Sequence, residues 1–290
     1  MSFSNACLFE KEEDRLMKRK ELKIGILSVA TGKYIDFLEP LYESIEHRFL
    51  SGYKKTYFVF TDNPKAVQTI AANVGVDALS IPIERQGFPG DTLLRYNYFS
   101  RLPAALAEVG SEPPDVLFYL DADMLVFFPV GPEVLPVPPH SELVATSHPG
   151  YYKNRTPTHP LGDPDQNPKS RAYIRSYEAG GDHRRRKRIC YLAGGFNGGT
   201  YSAFMKMCEV LSKQIADDLA DGVMAKWHDE SHLNEYCSRY YIFERLKILT
   251  PEYCFDQKDM EIDGNDIRIK GVQYAPRIVA LDKDHNKVRS

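Results

Sequence analysis

The chain reads Val-Leu-Phe-Tyr-Leu-Asp-Ala-Asp-Met from Val116 to Met124, and this stretch decides the fold. Its uninterrupted apolar and aromatic run, with two prolines before it, predicts a strand that is buried on both faces of a sheet. The run ends directly at the carboxylates of Asp121 and Asp123. Because open α/β sheets bind ligands outside the carboxyl ends of their strands, we expect both carboxylates at a ligand-binding edge.

Paired carboxylates at such an edge suit a hard cation such as Mg²⁺ or Mn²⁺ that also holds phosphate oxygens. An Asp-x-Asp pair is equally found where a buried strand simply ends in a polar turn. The motif by itself does not decide between a metal site and such a turn.

The composition is that of an ordinary globular protein. The chain has 290 residues, of which 43% are hydrophobic and 27% are charged, and its net charge is −3. This length allows one large domain or two, and the charge shows no basic excess that would indicate nucleic-acid binding. The five cysteines are scattered and contain no Cys-x-x-Cys pair. They predict reduced, mostly buried thiols rather than a zinc site or a disulfide framework.

Residues 1–20 carry mixed acidic and basic side chains and predict a charged lead-in to the folded part. No apolar run in the sequence has the length of a membrane span, and the N-terminus lacks the apolar core of a signal peptide. We therefore expect a soluble, cytoplasmic protein.

Strand-like and helix-like patterns alternate around the central strand, which is typical of βα units and a parallel sheet. The loop at 31–34 after the first strand would hold a nucleotide or form an ordinary βα turn, and it lacks Gly-x-Gly-x-x-Gly. The further predicted strands are 22–30, 56–62, 76–83 and 142–148, and the predicted helices are 36–49, 91–109, broken near Pro103, and 200–217.

The stretch Tyr191–Gly199 packs four glycines into nine residues. Glycines allow close backbone approach, so this stretch would form a wall against a ligand or a bulged pair of strands. Two polar segments are predicted before it. One is a surface loop at 153–171, and the other is a basic run at 182–188, which is a solvated loop or contacts an anionic substrate.

The stretch Trp227–Asn234 reads Trp-His-Asp-Glu-Ser-His-Leu-Asn and holds the only tryptophan. His228 and His232 are spaced to share a helix face, but the His-Glu-x-x-His order of a zinc peptidase is absent. Acids in the first turn of an ordinary helix explain the same pattern. The basic C-terminal residues 282–289 form a mobile terminus or fold over a phosphate-bearing ligand as a lid.

Seven segments, in this order along the chain, resemble glycosyltransferase family 6, the ABO blood-group transferases and their α1,3-galactosyltransferase relatives. The resemblance extends over nearly everything from Ile24 to Arg289. The segments are Tyr57–Asp62, Leu120–Met124, His148–Tyr152, Gly194–Gly199, Trp227–Asn234, Pro251–Tyr253 and Lys283–Arg289.

The resemblance implies a GT-A glycosyltransferase fold, an α/β domain with a mostly parallel central sheet flanked by helices. It implies one catalytic domain at 21–290, with a UDP-binding half at 21–125, an acceptor and donor-sugar half at 126–281 and a lid over the diphosphate at 282–290. The implied activity is that of a retaining hexosyltransferase, which moves galactose or N-acetylgalactosamine from its UDP form onto a galactoside in α1,3 linkage. The chain would be a bacterial or phage-type member without a membrane anchor, or a shortened form of an anchored one.

The resemblance also implies roles for single residues. Asp121 and Asp123 match the metal motif, so Mn²⁺ or Mg²⁺ is expected to neutralise charge on the departing UDP. Glu230 matches the candidate nucleophile, which forms a covalent intermediate or stabilises an oxocarbenium-like transition state. The other donor-side residues are Val29, Ala30, Thr31 and Tyr34 for uridine, Arg95 and Asp229 for the donor sugar, and Lys283 and Arg289 for the diphosphate; the acceptor-side residues are His148, Trp227 and Asp256.

Ala193, Gly194 and Gly195 match the family positions that surround the C2 substituent of the donor sugar. Because small residues leave room for an N-acetyl group, we expect UDP-GalNAc as the donor, with UDP-Gal as the alternative. The chain departs from the mammalian pattern at Asn197 and in the loops before it. The acceptor, its fucosylation and the oligomeric state are therefore left open.

Two other classes of protein fit parts of this pattern. A phosphatase of the haloacid dehalogenase type also has Asp-x-Asp after a buried strand, but there the motif opens the catalytic domain instead of lying mid-chain. A glycan-binding protein that has lost catalysis is disfavoured because Asp121, Asp123 and Glu230 are all kept.

Overall fold

The computed structural model describes residues 22–153, 156–157, 162–174, 190–239, 242, 244–263, 266–269, 272–273 and 275–289. The lead-in predicted at 1–20 and the basic run at 182–188 lie outside the described residues.

Strands and helices alternate over the first half of the chain, as the βα pattern predicts. In the described part of the chain the strands are β1 (Lys23–Val29), β2 (Lys54–Thr61), β3 (Ala78–Pro82), β4 (Val116–Leu120), β5 (Met124–Val126), β6 (Leu143–Ser147), β7 (Tyr152–Lys153), β8 (Thr156–Pro157), β9 (Leu192–Thr200), β10 (Leu246–Leu249), β11 (Phe255–Asp256), β12 (Met260–Asp263), β13 (Asp266–Ile269), β14 (Val272–Gln273) and β15 (Ile278–Ala280). The helices there are α1 (Leu38–Arg48), α2 (Pro64–Val74), α3 (Gly90–Leu93), α4 (Arg95–Phe99), α5 (Leu102–Glu108), α6 (Tyr201–Ala220), α7 (His228–Ser238) and α8 (His285–Arg289). Across the described residues, no helix is long and apolar enough to cross a membrane.

A seven-stranded sheet in the order β10-β6-β9-β4-β1-β2-β3 forms the centre of the fold. Its neighbouring strands are parallel, except that β9 pairs antiparallel with both β4 and β6. The carboxyl ends of β1, β4 and β6 therefore meet the amino end of β9 at one edge of the sheet. This mostly parallel sheet flanked by helices confirms the expected GT-A fold.

Strand β4 is buried on both faces, as its apolar run predicts. Val116, Phe118 and Leu120 belong to the core that contains the buried residues of α1 and α2. Leu117 and Tyr119 belong to the core on the other face, with residues of α4 to α7. Because successive side chains of a strand point to opposite faces, this one strand stabilises both cores.

The helix predicted at 91–109 is interrupted more often than expected and forms α3, α4 and α5. The backbone leaves helical geometry at Leu94, where ψ is 5°. The predicted break near Pro103 is confirmed, because α4 ends at Phe99 and α5 begins at Leu102, with Pro103 in the first turn of α5, where a missing N–H costs no helical hydrogen bond. The break at Leu94 reorients α4 so that Arg95 and Tyr96 are buried.

The turn that carries Asp121 and Asp123 joins the central sheet to a second sheet. Strand β5 follows the turn and pairs antiparallel with β15, which pairs parallel with β11. The Leu281 N–H, just after β15, donates to the Asp123 carbonyl oxygen at 2.8 Å. The carboxylate turn is therefore held between two sheets, which leaves it little conformational freedom.

Four cysteines of the described residues are free thiols. Cys208 and Cys237 are buried, while Cys190 and Cys254 are partly exposed. The prediction of unpaired thiols is confirmed for these four, and burial applies to two of them.

Candidate active site

Two adjoining cavities open at the edge where β1, β4 and β6 end and β9 begins. Thr92, Arg95 and Asp121 line both cavities, which makes them one continuous site. The first cavity, of ≈ 220 Å³, is further lined by Val29, Thr31, Tyr34, Arg85, Gly87, Phe88, Asp91, Tyr119, Ala122, Asp123, Lys283 and Arg289. The second cavity, of ≈ 350 Å³, is further lined by His148, Tyr151, Gly194, Gly195, Trp227, His228, Asp229 and Glu230.

The loop after β1 forms one wall of the first cavity. Val29, Thr31 and Tyr34 line this wall, whereas Ala30 is fully buried behind it. Thr31 Oγ1 donates to Asp91 Oδ2 at 2.8 Å, and Asp91 also accepts from two backbone N–H groups of the segment after β3. Asp91 therefore fixes two neighbouring loops against each other at the mouth of the cavity.

The paired carboxylates face the first cavity, and each already has partners. Asp121 Oδ1 accepts from the Tyr119 hydroxyl and lies 3.2 Å from Arg95 Nη2, while Asp123 forms an ion pair with Lys283 Nζ. No group of three or more His, Cys, Asp or Glu side chains that could hold a metal comes together among the described residues. The two carboxylates still fit a hard cation by their chemistry, since Mg²⁺ and Mn²⁺ take carboxylate oxygens together with oxygens of phosphate and water.

Arg95 connects the walls of both cavities. Its guanidinium lies 3.2 Å from Asp121 Oδ1 and 3.1 Å from Asp229 Oδ2, and it donates to the Gly194 carbonyl oxygen at 3.2 Å. Burial lowers the pKa of this arginine, but the nearby carboxylates raise the pKa further than burial lowers it. Arg95 therefore remains a buried positive charge that holds β4, β9 and α7 in fixed positions at the site.

Helix α7 brings the acids of its first turn into the second cavity. It begins at His228, whose φ of 50° lies in the strained left-handed region. Burial raises the pKa of Asp229 to about 7, and Arg95 opposes this shift. Burial also raises the pKa of Glu230 to about 7, although Glu230 Oε2 accepts from the Gly194 N–H at 2.8 Å. Both carboxyl groups therefore exchange protons near neutral pH, as catalytic acids and bases do.

The glycines of β9 allow its backbone to lie against these acids. A Cβ added to Gly194 would lie 3.4 Å from Glu230 Oε2, which is ordinary contact, whereas a Cβ added to Gly195 would lie 2.9 Å from Asp121 Oδ2. The strand also shifts register against β6, which confirms the predicted bulged pair of strands, and Gly194 and Gly195 line the second cavity. Asn197, which departs from the mammalian pattern, is buried and donates to the Gly194 carbonyl oxygen at 3.1 Å.

Two of the three residues predicted on the acceptor side line the second cavity. His148 Nδ1 accepts from the Gly150 N–H at 3.0 Å, and burial lowers the pKa of His148 to about 4. The ring is therefore neutral at pH 7 and carries its proton on Nε2. Trp227 lines the second cavity and is 45% exposed. Asp256 lies on β11 and lines neither cavity among the described residues.

The C-terminal residues 282–289 fold over the first cavity, which favours the lid over the mobile terminus. Lys283 Nζ lies 5.4 Å from the centre of the Tyr34 ring, in addition to its ion pair with Asp123. The guanidinium carbon of Arg289 lies 3.6 Å above the centre of the Phe88 ring. The Nε atom of Arg289 is buried and has no hydrogen-bond partner among the described residues.

His228 and His232 share helix α7 but do not meet at one site. His228 lines the second cavity, whereas His232 is fully buried with Nε2 3.6 Å from Asp218 Oδ2. The spacing therefore does not form the metal site of a zinc peptidase in the described residues. The stretch from Trp227 to Asn234 is instead the start of an ordinary helix with acids in its first turn, which is the alternative given in the sequence analysis.

Sequence reasoning missed the segment between β3 and α3, which contributes Arg85 and Phe88 to the first cavity, and it missed Asp91 in the first turn of α3. The available signal is its turn composition, Gly-Phe-Pro-Gly at 87–90, directly after a predicted parallel strand. Loops at that end of a parallel sheet carry ligand-binding residues, so the segment could have been included.

The fold and the continuous two-cavity site at its carboxyl edge define a glycosyltransferase of the GT-A class. The sequence model described as Glycosyltransferase family 6 matches residues 8–290, and the chain belongs to this family. It is 31% identical to Histo-blood group ABO system transferase 1 of Rattus norvegicus, covering 94% of this chain and 70% of that protein. It is 32% identical to Globoside alpha-1,3-N-acetylgalactosaminyltransferase 1 of Homo sapiens, covering 93% and 69%. It is 28% identical to O-antigen biosynthesis glycosyltransferase WbnI of Escherichia coli, covering 81% and 88%. The chain is thus a hexosyltransferase that takes a sugar donor and an acceptor.

Proposed function

We propose that the chain transfers N-acetylgalactosamine from UDP-GalNAc to a galactoside in α1,3 linkage, with retention of the anomeric configuration. Two relatives, 31% and 32% identical to the chain, support the reaction class. One is named an ABO transferase and the other an alpha-1,3-N-acetylgalactosaminyltransferase. The alternative is the same reaction with UDP-Gal, since a human relative at 27% identity is named Alpha-1,3-galactosyltransferase 2.

The position of Glu230 carries the proposal. Its carboxylate accepts from the Gly194 N–H at 2.8 Å and lies in the second cavity, with Asp121 on the donor side and Trp227 on the acceptor side. A carboxylate between the two substrates would bond to the anomeric carbon as the bond to UDP breaks, or stabilise positive charge on the sugar ring. Either role is consistent with retention.

The first cavity would hold the nucleotide. Val29, Thr31 and Tyr34 would contact uridine, and Lys283 and Arg289 would contact the diphosphate. The buried Nε of Arg289 supports an anion here, because an unpaired buried donor is costly until a ligand provides an acceptor.

Asp121 and Asp123 would hold Mn²⁺ or Mg²⁺ together with diphosphate oxygens, and the ion would neutralise charge on the departing UDP. The contact of Lys283 with Asp123 supports this assignment, because a protein cation already occupies the position where a metal cation would bind. Asp229, fixed by Arg95, would accept hydrogen bonds from hydroxyl groups of the donor sugar.

Gly194 supports the choice of UDP-GalNAc. A Cβ at this position would contact Glu230 and reduce the second cavity beside the catalytic carboxylate. With glycine there and Ala193 before it, the pocket keeps space for an N-acetyl group. On the acceptor side, Trp227 would stack on a sugar ring and the Nε2–H of His148 would donate to a hydroxyl group.

The test is UDP release from UDP-GalNAc and from UDP-Gal, in Mn²⁺ or in EDTA, with and without lactose or 2′-fucosyllactose. We expect Mn²⁺-dependent release from UDP-GalNAc that either acceptor accelerates. Faster turnover of UDP-Gal would select the alternative donor, and full activity in EDTA would contradict the metal assignment. Glycan binding without turnover of either donor would indicate a binding protein, and phosphate release from simple phosphate esters a phosphatase.

A further inference from the structure

We propose that Asp163 is a positioning residue that fixes the indole ring of Trp227 for the acceptor sugar. The proposal deepens the proposed function and rests on it in one respect, namely that Trp227 faces the acceptor. Asp163 lies in the segment 162–174, which has no regular structure, and nothing in its local sequence marks it as a site residue.

The carboxylate of Asp163 bridges two consecutive residues at the start of α7. Trp227 Nε1 donates to Asp163 Oδ2 at 3.0 Å, and Lys226 Nζ lies 2.6 Å from Asp163 Oδ1. The Lys226 ammonium also lies 5.7 Å from the centre of the Trp227 ring. One carboxylate thereby restrains the indole at its nitrogen, and the lysine that it binds lies over the ring.

The segment that carries Asp163 is itself anchored to the site. Asp165 is buried, and its Oδ2 accepts from the Lys226 backbone N–H at 2.7 Å. Gly162 has φ +54°, and a Cβ there would overlap the Tyr191 ring. Tyr191 in turn lies against His148, with ring centres 5.7 Å apart. The residues on either side of Asp163 in the sequence, Gly162 and Asp165, are thus fixed in position. Asp163 can therefore restrain the Trp227 ring instead of moving with it.

This restraint matters because an exposed tryptophan must lose rotamer freedom when a sugar stacks on it. Trp227 is 45% exposed, and the carboxylate orders its ring before any acceptor binds. Ordering one side chain in advance improves affinity by about 3- to 10-fold. The substrate class that gains is a pyranoside with an apolar ring face, as a galactoside has, because its C–H groups stack on the indole.

The single tryptophan provides a readout that needs no turnover. We expect time-resolved fluorescence anisotropy of free Asp163→Ala to show a faster rotating indole than in the wild type, and Asp163→Asn to fall between them. The matched control is Asp217→Asn, since Asp217 also has an ion pair, with Lys213 Nζ at 2.7 Å, on the surface of α6. The control is expected to leave the indole motion unchanged.

Kinetics then separate positioning from a general loss of structure. In Asp163→Ala the KM for lactose should rise about 3- to 10-fold, while the KM for the donor and acceptor-free hydrolysis of the UDP-sugar stay within twofold of the wild type. Unchanged indole motion in both variants, or an unchanged acceptor KM, would overturn the proposal. If neither donor turns over in the wild type, the proposed function fails. The role of Asp163 is then decided without turnover, by the fluorescence anisotropy of Trp227 in the wild type and in Asp163→Ala and by titration of lactose against Trp227 emission in both proteins.

Discussion

Replacing Asn234 by alanine should destabilise the protein and disconnect the two elements that form the second cavity. Asn234 lies one turn after Glu230 on α7 and is 5% exposed. Its Oδ1 accepts from the Leu192 N–H at 2.8 Å, and its Nδ2 donates to the carbonyl oxygens of Leu192 and Glu230 at 2.9 Å each. This one amide joins the start of β9 to the helix that carries Glu230, the proposed catalytic carboxylate.

The magnitude follows from the groups left behind. Leu192 is 2% exposed, so its N–H and C=O would lose these partners in a place that water does not readily reach. A buried backbone group without a partner costs about 1–3 kcal/mol, and two such groups give an expected loss of about 2–6 kcal/mol in the free energy of unfolding. Acceptor-free hydrolysis of the UDP-sugar should also fall, because the Gly194 N–H no longer has a fixed position relative to Glu230.

Urea unfolding followed by fluorescence measures the first quantity, and UDP release measures the second. Asn97→Ala is the matched control. Within the described part of the chain, Asn97 makes one long hydrogen bond from Nδ2, 3.4 Å to the Ser212 carbonyl oxygen, and its buried Oδ1 has no hydrogen-bond partner. We expect the control to cost less than about 1 kcal/mol. If Asn234→Ala is no less stable than Asn97→Ala, the amide is not the connection described here.

The remaining predictions concern the donor side. Gly194→Ala should shift the ratio of kcat/KM for UDP-GalNAc and UDP-Gal about tenfold toward UDP-Gal, and an unchanged ratio would contradict the pocket assignment. Gly195→Ala should lower turnover of both donors, because its methyl group meets Asp121. Because burial raises the pKa of both Asp229 and Glu230 to about 7, both carboxylates are protonated below that pH. UDP release should therefore fall at least about tenfold per unit as the pH drops from 6 to 4, and a flat profile would exclude an ionised Glu230 in the rate-limiting step. Lys283→Gln should raise the KM for the donor. It should also strengthen Mn²⁺ binding in the absence of UDP, measured by calorimetry, because the ammonium that competes for Asp123 is removed. Weaker Mn²⁺ binding would show that Lys283 does not compete for Asp123.

Local sequence patterns predict the sheet well and the connections within the site poorly. The apolar run of β4 and the amphipathic pattern of α6 are local, so their positions follow from periodicity. Arg95 is different, because its contacts with Asp121, Asp229 and Gly194 join residues far apart along the chain. The family resemblance placed Arg95 near the donor sugar, but no local pattern states which acids it holds.

Two further differences between the sequence-based predictions and the structure have physical causes. The predicted helix at 91–109 contains residues with acceptable helix propensity, and tertiary packing of Arg95 and Tyr96 overrides that propensity at Leu94. Asp163 lies in a polar segment that reads as a surface loop. Its contact with Trp227 depends on the path of the chain over 64 residues, which the composition of the loop does not encode.

The antiparallel direction of β9 indicates which parts of the site can vary in sequence and which are fixed by strand pairing. Because β9 starts at the edge where its neighbours end, the residues just before it reach the site without being part of the sheet. Changes within residues 162–174, where Asp163 contacts Trp227, would reshape that side of the site, while the pairing of β4 with β9 keeps Asp121 in register with Gly195. In evolutionary terms, a lineage with the proposed assignments could change its acceptor through residues 162–174 and its donor through substitutions within β9.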